Sequence, residues 1–246
     1  MTRLNNYISA TGLCSRREAD DYIIQNRVTV NGKPAVLGMK VEDTDVVALD
    51  GKVLEVEAKK VTIAYHKPVG ITCTTDPEIE SNILSAIQYP QRIFPIGRLD
   101  KDSEGLILLT SDGSIVNKIL RAENGHEKEY VVNVTTRLKP NFKALMERGV
   151  EIYNPVKDEI TKTLPCKVKI LSDSSFSIIL NQGLNRQIRR MCTALGYSVA
   201  RLKRIRVMNI DLGFLPKGNW RVLSDEEMTG LMVMLDVNED SIDSSL

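Results

Sequence analysis

Two stretches of the 246-residue chain concentrate side chains that could do chemistry. The first is Phe94-Pro95-Ile96-Gly97-Arg98-Leu99-Asp100-Lys101-Asp102-Ser103-Glu104-Gly105-Leu106, a densely charged loop that runs directly into the apolar Leu106-Ile107-Leu108-Leu109. A carboxylate held beside a buried strand can act as a nucleophile or stabilise an electron-poor carbon. Alone, an Asp in such a loop is more commonly a turn or cap residue. The second stretch is Gln182-Gly183-Leu184-Asn185-Arg186-Gln187-Ile188-Arg189-Arg190-Met191-Cys192, which reads as a strand end, a turn and a helix. At about 100° per residue, Ile188, Met191, Cys192 and Leu195 share one helix face, and Arg189 sits closest to its edge. Arg189 is therefore expected to be partly buried, where a guanidinium usually needs a carboxylate partner. Arg186 and Arg190 read as a more solvated basic face.

These side chains require elements to hold them. Leu4, Tyr7, Ile8 and Leu13, then a Ser15/Glu18 capping box with Ala19, Tyr22 and Ile23, predict two short helices. Val28-Thr29-Val30 before Asn31-Gly32, and Val46 to Leu49 before Asp50-Gly51, predict strands ending in tight turns. The polar run from Glu55 to Lys60 suits a linker. Val61, Ile63 and Tyr65 begin a second domain, with a strand that stops at Pro68 and Gly70. Further strands are predicted at Leu106 to Thr110, Tyr130 to Val134, Val168 to Leu171, Phe176 to Leu180 and Ile205 to Leu212. Ser224 with Glu227 opens a last helix, with Met228, Leu231, Met232 and Leu235 on one face. Few helices among many strands point to an α+β chain: a small helix-helix-β domain over residues 1–50, a linker over 51–60, a larger domain over 61–236 built on a large mixed, mainly antiparallel sheet with flanking helices, and an acidic flexible tail over 237–246.

The composition, 42% hydrophobic and 26% charged, is that of a globular protein. No apolar stretch approaches the roughly 20 residues that span a bilayer, and the start of the chain has no long uncharged core, so a cytoplasmic location is expected. Cys14, Cys73, Cys166 and Cys192 are scattered, with only His66 and His126 as companions. They read as reduced thiols, and neither a metal nor a cofactor is expected. The formal charge of +1 conceals segregation: Arg186 to Arg206 holds seven positive residues and no acid, and Ser224 to Leu246 holds seven acids and no base. Screening confines each charge to about 8–10 Å, so a local basic patch can attract phosphates on a nearly neutral molecule.

Taken together, Gly97-Arg98-Leu99-Asp100 with Asp102-Ser103-Glu104-Gly105-Leu106, Lys67-Pro68-Val69-Gly70, Lys128-Glu129-Tyr130 and Arg186-Gln187-Ile188-Arg189-Arg190-Met191 resemble, in order and spacing, the four motifs of a pseudouridine synthase family. That family includes the ribosomal small-subunit enzyme A and the large-subunit enzymes B, E and F. The stretches HEKEY, GRLDKDSEGL and RIRVMN look closest to the enzyme F subgroup. Residues 1–50, through Arg3, Arg16, Arg17 and Val28 to Gly32, resemble the S4 RNA-binding domain.

The resemblance implies an isomerase that detaches uracil from ribose and rejoins it through carbon, on ribosomal RNA of the 23S class and, in some members, a tRNA. It implies Asp100 as the essential carboxylate, attacking C1′ or taking a C2′ proton, with Tyr130 stacking on a flipped base and Arg189 orienting the carboxylate. Lys67, Arg98, Arg186 and Arg190, with Arg3, Arg16 and Arg17, are the expected RNA contacts. No membrane partner is implied, and a monomer is expected. A pure RNA-binding protein and a different hydrolase with an Asp nucleophile are the competing readings.

Overall fold

The computed structural model describes residues 1–55, 60–120 and 125–243. In chain order its elements are β1 (Thr2–Arg3), α1 (Leu4–Ala10), α2 (Arg16–Ile24), β2 (Val28–Val30), β3 (Lys33–Pro34), β4 (Lys40–Val41), β5 (Val47–Leu49), β6 (Lys52–Val53), β7 (Thr62–Lys67), α3 (Ile83–Ile87), β8 (Phe94–Pro95) and β9 (Glu104–Thr110). There follow α4 (Gly113–Leu120), β10 (Lys128–Val134), α5 (Phe142–Glu147), β11 (Glu151–Asn154), β12 (Glu159–Lys162), β13 (Lys167–Ser172), β14 (Ser175–Leu180), α6 (Gln187–Ala194), β15 (Val199–Val207), β16 (Ile210–Asp211), β17 (Trp220–Val222) and α7 (Asp225–Asp243). No helix among the described residues is long and apolar enough to cross a membrane.

The chain divides into two compact units. The first comprises residues 1–61, 89–93 and 111–113. Its α2 starts at the expected capping box, in which Ser15 Oγ accepts from the Glu18 amide and a Glu18 carboxylate oxygen accepts from the Ser15 amide. Strands β3-β2-β5-β6 form an antiparallel sheet, and Leu4, Ile8, Ala19, Ile23, Val28 and Val47 close a core against it. That core also takes in Leu54, so the fold of the first unit continues into the segment expected to be linker from residue 51; part of that segment, 56–59, lies outside the described residues.

The second unit is built on a nine-stranded sheet in the order β13-β14-β10-β15-β9-β7-β17, with β16 added to β15 and β8 to β9. Every pairing is antiparallel except β15 with β9. The architecture is α+β, as the mixture of patterns implied. One core gathers Val132, Phe176, Ile178, Met191 and Leu202 under α5 and α6, and a second gathers Ala64, Leu106, Leu108, Ile119 and Leu231 under α4 and α7. The strand expected at Val61, Ile63 and Tyr65 is β7, which lies between β9 and β17 with all six of its residues buried.

Two more expectations differ from the structure. The strand expected from Ile205 to Leu212 is displaced: β15 begins at Val199 and ends at Val207, and the chain then turns through Met208 and Asn209 before β16. The last helix has its Ser224/Glu227 capping box, but its backbone stays helical to Asp243. The boundary of the acidic tail at residue 237 therefore falls inside a helix, and 244–246 lie outside the described residues.

Candidate active site

Asp100 stands in the loop between β8 and β9, which is held from two neighbouring segments and from within. From the segment after β7, the Gly70 amide donates to Lys101 O at 2.8 Å, and Cys73 Sγ donates to Leu99 O at 3.1 Å. Within the loop, the Ser103 amide donates to Asp100 O at 3.0 Å. From α6, Arg189 Nη2 donates to Asp102 O at 2.8 Å and to Ser103 Oγ at 3.2 Å. Beyond the loop, the buried Glu104 carboxylate is paired with Arg201 and Lys217. The loop is thus fixed at both ends and along its length.

The two aspartates are used differently. Asp102 receives a two-pronged bond from Arg186, Nη1 to Oδ1 at 2.9 Å and Nη2 to Oδ2 at 2.7 Å. That fork, with help from Arg189, holds the Asp102 carboxyl below the usual carboxylate range. The Asp100 carboxylate accepts no hydrogen bond among the described residues. Its nearest cation is Arg186, with Nη1 3.9 Å from Oδ2. A carboxylate that stays near a guanidinium but is not bonded to it remains available to attack.

This corrects the expected Arg pairing. The helix-face argument places Arg189 inward, and its side chain is only 14% exposed against 40% for Arg186. However, Arg189 grips the backbone beside Asp100 and does not reach the Asp100 carboxylate. Its Nε lies 3.4 Å from Asp102 Oδ2, within ion-pair reach but without hydrogen-bond geometry. Arg190 folds back on its own turn, donating to Asn185 O and Oδ1, each at 3.0 Å.

Lys67 also differs from expectation. It is fully buried, and its Nζ donates to Pro68 O at 2.9 Å and Ile71 O at 2.8 Å. Burial pushes this amine below the usual lysine range, partly offset by Cys73, Asp100 and Asp102. It braces the turn from which the Gly70 amide bonds the Asp100 loop, and its amine is enclosed and not presented to a phosphate. Arg98 is exposed, as an RNA contact requires. In the first unit Arg3, Arg16 and Arg17 are exposed and line one concavity with Asn5, Asn6 and Asp20.

Tyr130 faces Arg204 across the β10–β15 pair, and Arg204 faces Gly105 across β15–β9. Two inter-strand steps put Tyr130 about 10 Å from the strand end that follows the Asp100 loop. The tyrosine is half-buried, with the Arg204 guanidinium carbon 6.0 Å from its ring centroid. In the sequence Arg204 carries no signal beyond membership of the basic stretch from Arg186 to Arg206.

Comparisons with known proteins decide the family. Residues 61–194 match the RNA pseudouridylate synthase family, and residues 2–47 match the S4 domain. This chain is an RNA pseudouridylate synthase. It is 49% identical to the dual-specificity RNA pseudouridine synthase RluF of Escherichia coli K12, over 95% of this chain and 79% of that one. It is 34% identical to the ribosomal large subunit pseudouridine synthase B of Bacillus subtilis, over 96% and 98% of the two chains. A crystal structure of a pseudouridylate synthase matches 94% of this chain and all of its own, with a TM-score of 0.68 at 27% identity. The synthase therefore isomerises uridine in RNA, and its four sequence motifs converge on the Asp100 loop or on the sheet strands beside it.

Proposed function

We propose that the synthase acts on a uridine of 23S ribosomal RNA, with a tRNA as a second substrate, and that Asp100 is its nucleophile. The identity to a dual-specificity enzyme and to a large-subunit enzyme supports the choice of RNA. The observation that carries the role of Asp100 is the contrast between the two aspartates: Asp102 is consumed by a bidentate guanidinium, and Asp100 is held in place with its carboxylate unbonded.

In this reading the target nucleotide leaves its helix, because a stacked uracil cannot present its glycosidic bond and C5 together. The base lies on Tyr130. Asp100 captures the electron-poor ribose carbon as the base departs, and the base turns and rejoins through C5. Arg189 acts through the backbone, fixing the direction of the loop, and Arg186 supplies the nearest positive charge. The enclosure must also keep water from the separated pieces. The reaction asks for neither metal nor cofactor, and the reading places the enzyme in the cytoplasm as a monomer.

The test is tritium release from RNA labelled at uracil C5. Asp100→Asn keeps the shape of the side chain and removes its charge, so it should fold as the parent does and release tritium at less than about one-hundredth of the parent rate. A faster variant would remove Asp100 from this role. Mapping pseudouridine in total RNA with and without the protein identifies the uridine.

A further inference from the structure

Arg204 is 4% exposed, a depth at which a guanidinium is ordinarily paired with a carboxylate. None meets it among the described residues. Its Nε donates to Leu106 O at 2.7 Å. Its main chain is pressed against Gly105, where φ is +112° and a Cβ would stand 2.2 Å from Arg204 O. The position of Arg204 is therefore set by the backbone of β9. Its two terminal nitrogens have no partner among the described residues and, unlike Arg189 Nε, are not sealed from solvent. The guanidinium carbon lies 6.0 Å from the Tyr130 ring centroid, at the outer limit of a cation–π contact.

The surroundings repeat the sign. Lys67 lies within electrostatic reach of Arg204 on one side, and Lys128, two residues from Tyr130 on β10, lies within reach on the other. Both are held below the usual lysine range, first by burial and further by Arg204. A preorganised fork with free donors beside a stacking ring, among other cations, suits an oxygen that becomes negative during reaction.

We propose that Arg204 is a catalytic residue that donates to a carbonyl oxygen of the target uracil and stabilises the negative charge the base acquires on leaving. This rests on the reading of Asp100 and Tyr130 above. In the step, the pair of electrons of the C1′–N1 bond goes to N1 and spreads over O2 and O4, and an Asp100 oxygen forms the new bond to C1′. No proton or redox partner is required.

Fluorine at C5 stabilises the uracil anion by itself, so it supplies the test. RNA carrying uridine or 5-fluorouridine at the mapped position is followed in single turnover with Arg204→Lys and Arg204→Met, beside filter binding. On uridine RNA, Arg204→Met should be slowed about 100-fold, with its dissociation constant within about threefold of the parent. On 5-fluorouridine RNA the loss should shrink to about tenfold or less, and Arg204→Lys should lie between Met and the parent on both. Equal losses on the two RNAs, or a loss confined to binding, would overturn the assignment. If neither variant folds, the unaltered enzyme decides. Fluorine should speed its cleavage step by less than about threefold if Arg204 already carries the charge, and acceleration beyond tenfold would mean the base leaves unaided. An unaltered enzyme that leaves both RNAs intact and releases no tritium from C5-labelled uridine RNA would overturn the underlying reading, a result distinct from equal losses.

Discussion

Asp100 and Asp102 stand two residues apart in different surroundings. The pairing of Asp102 with Arg186 fastens the loop to α6 and holds the nearest cation beside Asp100. Arg186→Lys keeps the charge and loses the planar fork, so it should lower turnover at least tenfold while RNA binding changes little. Arg190→Lys should change turnover by less than about threefold, because among the described residues the Arg190 guanidinium hydrogen-bonds to Asn185 and not to the Asp100 loop. Steady-state tritium release for the two variants checks this, and the reverse order would remove Arg186 from the site. Sequence periodicity identified Arg189 as the inward-facing arginine because burial on a helix follows a 3.6-residue repeat. It could not say which atom of the opposite loop Arg189 would meet, since that depends on where a segment 87 residues away is held.

Lys128 adds a residue-scale prediction about pH. Burial, with Arg204 adding to it, pushes its amine down to about 8 from an ordinary 10.5. Between those values the unfolded chain binds more protons than the folded one, so this group makes stability rise with pH across the window, by at most about 1.4 kcal/mol per pH unit. Urea unfolding of the parent and of Lys128→Met at pH 7 and pH 9.5 should show the variant gaining relative stability at pH 7 and losing that advantage at pH 9.5. A constant difference between the two would show that Lys128 keeps an ordinary pKa.

At the scale of elements, the site depends on the parallel join of β15 to β9, the feature the sequence disclosed least. The first six residues of β15, Val199 to Arg204, carry Arg201, Lys203 and Arg204 and belong to the basic stretch of the sequence. They lie inside the sheet because β9 and β10 flank them, and pairing between distant segments leaves no local pattern. By contrast β9, β10 and β14 were legible from their own apolar runs, as were α2 and α7 from their capping boxes. Gly105 is the point where the join closes. A methyl group there would meet Arg204 O at 2.2 Å and Arg204 N at 2.6 Å, on a backbone with φ +112° that favours glycine. Gly105→Ala should therefore cost about 3 kcal/mol or more and lower the melting temperature by several degrees. Calorimetry reads the shift, and a loss under about 1 kcal/mol would mean that β15 moves aside freely.

At the scale of the whole molecule, RNA affinity must come from patches, because the chain carries a formal charge of only +1. The first unit has its own core, which fixes the backbone under Arg3, Arg16 and Arg17 on one concave surface. The two helices and the tight turns of this unit were readable because its contacts are short in sequence. Its end was not, since β6 pairs back on β5 beyond the turn at Asp50-Gly51 that looked like a boundary. If the three arginines each neutralise one phosphate, binding releases about 0.7 counterions per contact for single-stranded RNA. Replacing all three with alanine should then make the slope of log affinity against log salt shallower by about 2, with the rate of bound RNA turnover little changed. Lys67→Met supplies the contrast: its amine is enclosed by Pro68 O and Ile71 O, so removing it should disturb the turn that bonds the Asp100 loop and leave the salt slope at the parent value. Filter binding across a salt series measures both slopes. An unchanged slope in the triple variant would show that these arginines do not touch phosphate, and a changed slope for Lys67→Met would show that the buried amine reaches the RNA after all.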